Sequence, residues 1–171
     1  MKSMRFALSI AVLFLATAAL AQSDAKKSFD QLKTLAGSWD AAIQTIPPQP
    51  DIQGQKAHVT LRVTSMGNVL THEITSSARP DDPITMLYLD DGRLTLTHYC
   101  DAGNRPRMTG KMSADGKSVD FDFLDVAGDT HYGHMHHAKF TFVDADHHVE
   151  DWTFMVGDKP VQAHFELQRS K

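Results

Sequence analysis

The chain has a single cysteine, Cys100, in 171 residues, so no intramolecular disulfide can form and the fold must rest on packing. It has no surplus of positive charge, with 17 Lys and Arg against 21 Asp and Glu. That removes the electrostatic basis for binding nucleic acid or an anionic membrane surface. No Gly-x-Ser-x-Gly elbow, phosphate-binding glycine loop or dinucleotide fingerprint occurs, so none of these motif-borne chemistries is signalled. After the N-terminal segment there is no long apolar run, and therefore no candidate for a spanning helix.

What is present begins with Lys2 and Arg5, followed by an apolar stretch from Phe6 to Ala19 that closes on Ala19-Leu20-Ala21. A basic start, a short apolar core and small residues at the end describe a secretory signal peptide, with cleavage expected after Ala21. Residues 1–21 are thus a leader, and 22–171 are expected to form one domain that is periplasmic or secreted and free of the membrane after cleavage. Without the leader, 15 basic residues face 21 acidic ones, a net charge of −6. In an oxidising compartment Cys100 is expected to be buried and inert, the alternative being a reactive thiol.

Helical periodicity is confined to Phe29, Leu32 and Leu35, ahead of Gly37-Ser38-Trp39. Ser28 or Asp30 is placed to cap this short helix and Gly37 to stop it. Everything downstream reads as strand and turn. Ten runs rich in Val, Thr, Ile and Phe follow: 39–46, 57–64, 69–75, 84–89, 93–99, 107–112, 118–124, 136–143, 148–156 and 161–168. Asp91-Gly92, Asp115-Gly116, Met66-Gly67-Asn68 and Gly157-Asp158 between them supply the turn geometry of tight hairpins. Joining the two edges of such a meander removes both. The expectation is all-β: a closed antiparallel up-and-down barrel of about ten strands with one short N-terminal helix. An open sandwich or a curved sheet with the helix packed on it is the alternative. Pro47-Pro48-Gln49-Pro50-Asp51 cannot pair in a central ladder and is a candidate rim loop or lid.

Alternation along each strand sorts side chains into inner and outer sets. Leu94, Leu96 and His98 share one face. Val119, Phe121 and Phe123 face inward, with Asp120 and Asp122 outward. Phe140 and Phe142 carry Ala138, His136 and His134 with them, while Trp152, Phe154 and Val156 carry Glu150 and His148. An apolar interior with a few convergent polar groups suits a small-molecule pocket. Left unpaired, each buried polar group would cost on the order of 1 to 3 kcal/mol, so these groups should bond to one another, to water or to a ligand. The candidate lining is Trp39, Leu96, His98, Phe121, His136, Glu150 and Trp152.

Six of the ten histidines, His131, His134, His136, His137, His147 and His148, crowd one segment. His134 and His136 could hold a metal ion if Glu150 or His98 came across as a third ligand, and the same residues fit a polar or pH-sensitive rim. Asn104, Arg105 and Arg107 flank Pro106 in a loop that could hold an anion or form a charged hairpin. Asp81-Asp82 and Asp90-Asp91 read as solvated turns. No cofactor is specified by the residues alone.

With Phe29-Asp30-Gln31-Leu32-Lys33-Thr34-Leu35-Ala36-Gly37-Ser38-Trp39, and later His98-Tyr99-Cys100 and Gly103-Asn104-Arg105-Pro106-Arg107-Met108, the chain resembles exported bacterial lipocalin-like proteins of the calycin type. The resemblance implies a barrel that holds a small hydrophobic molecule. It departs from intracellular fatty-acid carriers in lacking their helical pair after strand one, and from many secreted lipocalins in lacking a disulfide. The chain is also similar to the nitrobindin family, which implies a haem barrel using a histidine of the last strand. His164 falls near that place, but Asp40, Ala41 and Ala42 replace the glycines that follow that family's tryptophan, and alternation turns His164 outward. Three readings follow. One is an exported binding protein for an apolar or amphipathic molecule, another a metal or haem barrel, and the third an enzyme with His98 and Glu150 as an acid-base pair.

Overall fold

The computed structural model describes residues 22, 24–76 and 83–171. The expected leader and Asp81-Asp82 lie outside the described residues. A helix over 24–33 leads into β1 (Gly37–Ala42) and β2 (Gln44–Ile46), which behave as one strand interrupted at Ile43. β3 (Lys56–Thr64), β4 (Val69–Ser76), β5 (Ile84–Asp90), β6 (Arg93–Tyr99) and β7 (Arg105–Met112) follow. β8 (Ser118–Ala127), β9 (His134–Phe142), β10 (His147–Val156) and β11 (Lys159–Arg169) complete the chain. From β3 to β11 each strand pairs antiparallel with the next, β1 pairs antiparallel with β3, and β1 and β2 both pair with β11. The result is a closed ten-stranded antiparallel barrel with one short helix.

The seam is built from the Gly-x-Trp entry. Trp39 lies opposite Arg169 in the β1–β11 ladder, and the Arg169 guanidinium sits 4.0 Å from the Trp39 ring centroid. Arg169 also donates to the Ala36 and Ala145 carbonyls, at 3.1 and 3.0 Å. Trp39 donates its indole N–H to the Leu35 carbonyl at 2.9 Å, which ties the helix end to the barrel. Gly37 has φ +144°, and a Cβ there would stand 2.3 Å from Arg169 Nη1. Only glycine admits both the backbone angle and the arginine.

The helix begins earlier than its apolar periodicity suggests. Ser28 is buried inside it and donates to the Asp24 carbonyl at 2.8 Å, so neither Ser28 nor Asp30 is the cap. Phe29, Leu32 and Leu35 face the core, where Trp39, Leu61, Leu70, Leu87, Leu96, Met108, Phe121, Phe140 and Leu167 are fully buried. Gly110 sits in mid-strand because a Cβ would come within 2.5 Å of Phe121 and 2.7 Å of Leu94. One half of the barrel is therefore solid, with the helix against it.

Two bulges shift the inward face. In β8 the register slips so that Met108 faces Phe123 but Arg107 faces Asp125, leaving Leu124 as the extra residue. In β9, Thr153 faces His137 while Phe154 faces Met135, leaving His136 as the extra one. A bulged residue breaks the period-two alternation and re-aims the side chains beyond it. Arg105 and Pro106, expected in a loop, belong to β7. Pro106 pairs with Val126 of β8 beyond the end of the β6 ladder, where a missing N–H is tolerated.

Candidate functional site

At the end of the barrel away from the helix lies a cavity of about 330 Å³, at the small end of the usual range for ligand sites. Its walls are mostly apolar: Ile52, Ile74, Met135, Trp152, Phe154, Val156, Val161, Ala163 and Phe165, with Pro83. Thr45, Gln49, His72, His98, Cys100 and Asp101 supply the polar groups. The Pro-rich stretch forms part of the rim. Thr45 Oγ1 accepts from the Gln49 N–H at 2.7 Å and Gln53 Oε1 accepts from the Thr45 N–H at 2.8 Å, which folds Gln49 and Ile52 over the opening.

Beside the cavity is a buried ionised network. Glu150 is fully buried and accepts three hydrogen bonds: from His72 Nε2 at 2.9 Å, from His148 Nε2 at 3.0 Å and from the Trp152 indole at 3.0 Å. Burial alone would raise its pKa. The charge of His72 and the hydrogen bonds from His148 and His72 outweigh that, and hold the carboxyl well below the usual carboxylate range. An ionised carboxylate only accepts, so both imidazoles donate to it from Nε2. The Nδ1 atoms of His72 and His148, both buried, have no hydrogen-bond partner. His148 packs edge-on against Trp39 at 4.3 Å, inside the core. His72 instead belongs to the cavity wall.

The register shows why His72 and His98 share that wall. His72, Thr85 and His98 lie directly opposite one another across β4, β5 and β6, so their side chains point the same way in one row. Thr85 Oγ1 bonds His98 Nδ1 at 2.8 Å. Trp152 reaches both imidazoles from β10, at centroid distances of 5.5 Å to His72 and 5.7 Å to His98. Burial, reinforced by the charge of His72, pushes the His98 pKa down to about 4, with Asp101 opposing, so His98 is neutral at neutral pH.

Of the residues singled out from the sequence, His98 and Trp152 line the cavity. Trp39, Leu96, Phe121 and Glu150 are buried in the packed interior and do not line it. His136 does not line it either. As the bulged residue of β9 it stacks on Phe123 at 4.5 Å, with His134 Nε2 3.2 Å from its Nδ1, and Met135 takes the place on the wall. Burial first, then the charge of His136, lowers the His134 pKa. Among the described residues, no group of three His, Cys, Asp or Glu side chains is gathered closely enough to hold a metal ion. The partner of Glu150 is His72 rather than His98. His72 escaped the sequence reading, although Leu70, His72 and Ile74 alternate on one face of β4 and carry the signal.

His164 Nδ1 bonds Asp151 at 2.6 Å on the outer face, and the inward neighbours of β11 are Phe165 and Leu167. His164 therefore offers no ligand to the cavity, and these residues do not fit the haem arrangement that the nitrobindin resemblance implies. Arg107 pairs with Asp125 (Nε to Oδ1, 2.8 Å). Buried Asn104 donates to the Asp129 and Gly133 carbonyls at 2.7 and 2.8 Å, pinning the β8–β9 connection. That loop is structural.

No protein-family model and no curated protein matches the chain. Solved structures do. A protein of unknown function of the DUF3598 family from Nostoc punctiforme superposes with a TM-score of 0.53 at 8% identity, over 81% of this chain and 48% of that one. This chain thus spans about half the length of the Nostoc protein. Rv2717c from M. tuberculosis superposes with a TM-score of 0.57 at 15% identity, over 84% of this chain and 98% of that one. Both likenesses concern the barrel and are consistent with a lipocalin-like fold.

Proposed function

We propose that this is an exported binding protein that holds a small apolar or amphipathic molecule in the cavity at the open end of its barrel. The observation that carries this reading is the contrast between the two halves of one barrel. The barrel interior near the helix is filled by Phe29, Leu32, Trp39, Phe121 and Phe140, and the cleft of about 600 Å³ beside the helix is lined by polar helix and turn residues such as Asp24, Lys27, Arg93 and Asp115, whereas the other end keeps about 330 Å³ of mostly apolar space with two imidazoles in its wall. Packed interiors tolerate few voids larger than a water molecule, so an open apolar chamber with placed polar groups fits recognition better than stability. The basic-apolar-small pattern of residues 1–21 supports export.

The test is native mass spectrometry of the untagged protein purified from the periplasm or medium. Added mass, on the order of a few hundred daltons for a ligand of this cavity's size, is the expected result. A bare mass, together with no binding of an apolar fluorescent probe, overturns the reading.

A further inference from the structure

We infer that residues 47–53 form a flap that gates the cavity, and that the Gln53 side chain is the latch that holds it shut. The inference rests on the binding reading above and adds how the site is entered and left.

The flap hangs from two fixed points. On one side β2 is held in the barrel wall by its ladder with β11, where Thr45 pairs with Ala163. On the other, the Gly54 N–H donates to the Ile43 carbonyl at 2.7 Å and the Ile43 N–H to the Gln55 carbonyl at 2.8 Å. Between them the chain is one stiff piece, because the Ile52 and Gln53 N–H groups both donate to the Gln49 carbonyl, at 3.1 and 2.9 Å. Gly54, at φ +74° with nothing within 4 Å of where a Cβ would stand, gives that piece a pivot. Beside the pivot, Gln55 Nε2 donates to the Asp51 carbonyl at 2.9 Å.

The apolar hold on this piece is slight. Pro47, Pro48, Pro50, Asp51 and Gln53 are exposed, and the side chain that packs on the core, Ile52, is half-buried. A segment with so few buried apolar contacts opens at low free-energy cost. Its polar attachment to β2 converges on one buried residue. Thr45, 3% exposed, donates both its N–H and its Oγ1–H to Gln53 Oε1, each at 2.8 Å, and its Oγ1 accepts from the Gln49 N–H at 2.7 Å. Swinging the flap away breaks all three bonds at once and lifts Gln49 and Ile52 off the cavity they help to line. Thr45 stays behind in the wall with its donors unanswered, so the open state is a minor one. Such a latch sets the rates of entry and exit. It leaves affinity alone, because the same three bonds close the flap over an empty and an occupied cavity.

The test follows N-phenylnaphthylamine, a neutral apolar fluorophore, by stopped-flow mixing with the purified protein, alongside amide hydrogen exchange without ligand. Gln53→Leu removes the acceptor and keeps the bulk. It is expected to speed association and dissociation together, each by at least about tenfold, the scale of one or two net hydrogen bonds, with Kd within about twofold of wild type. Gln53→Glu, which keeps the oxygen on an exposed side chain, is expected to bind and release at the wild-type rates. The Thr45 and Gln49 amides should exchange faster in Gln53→Leu than in wild type. Unchanged probe rates in a variant whose Thr45 and Gln49 amides are released overturn the inference and put the entrance elsewhere on the rim. Amides that exchange as in wild type overturn the latch. Faster dissociation alone, with weaker Kd, overturns it by making Gln53 a ligand contact. Failure of the probe to bind wild type, with a bare mass in native spectra, overturns the binding reading and the gate with it.

Discussion

His72 on β4 and Glu150 on β10 are 78 positions apart in the chain and 2.9 Å apart in space, joined across the interior of the barrel at the boundary between its packed and hollow halves. A buried carboxylate is stable only where donors answer it, and here three do. The pair thus links two jobs: it satisfies Glu150, and it holds the His72 ring in place in the cavity wall.

Removing one member of this network should cost far more than removing all of it. Glu150→Ala leaves two imidazoles and an indole buried without their acceptor. We expect a loss of about 3 to 5 kcal/mol, a fall in Tm on the order of 10 °C for a barrel of this size. Replacing Glu150, His72 and His148 together with Met, Phe and Leu should recover most of it. Thermal unfolding by circular dichroism measures both, and equal losses would contradict the network's described role.

His98 makes stability pH-dependent. Its pKa is pushed down to about 4 in the folded barrel by burial and the charge of His72, whereas the unfolded chain titrates near 6.5. The unfolded state therefore binds the extra proton first as pH falls. Stability present above about 6.5 is lost between there and about 4, up to about 3 kcal/mol from this group. Glu150, whose pKa is lowered, adds loss in the same direction at lower pH. Urea unfolding as a function of pH should show this slope, and His98→Gln should flatten it in the upper part of the window.

Gly110 has no left-handed backbone to explain it. Its reason is the close approach of Phe121 and Leu94, at 2.5 and 2.7 Å from a modest Cβ. Gly110→Ala overpacks the solid half and should cost about 1 to 3 kcal/mol without touching the cavity. A chemical denaturation midpoint unchanged from wild type would show that Phe121 and Leu94 can retreat.

Ala163 stands opposite Trp152 in the β10–β11 ladder and lines the cavity. Ala163→Phe should fill the chamber, abolish the added mass in native spectra and leave Tm within a few degrees of wild type, about 1 kcal/mol either way. Retained ligand mass in a folded variant would place the ligand elsewhere.

The alternation of apolar and polar residues, a property of neighbours along the chain, already specified ten strands, their turns, the inward course of His98, Glu150 and Trp152, and the outward one of His164. Asn104, Arg105 and Arg107 could be read as either an anion-binding loop or a charged hairpin, because the partners of Asn104 and Arg107, the Asp129 and Gly133 carbonyls and Asp125, lie on the next strand and its connection. His136 is displaced from the wall by a bulge that exists only where β9 meets β10. His72 gains its meaning from Glu150 on the far side of the barrel, a contact set by how the closed sheet curves and not by any spacing in the chain. Period-two patterning is local and survives in one strand read alone. Which inward residues meet, and which atom each leaves free, depends on ladder register and closure, which only the assembled barrel determines.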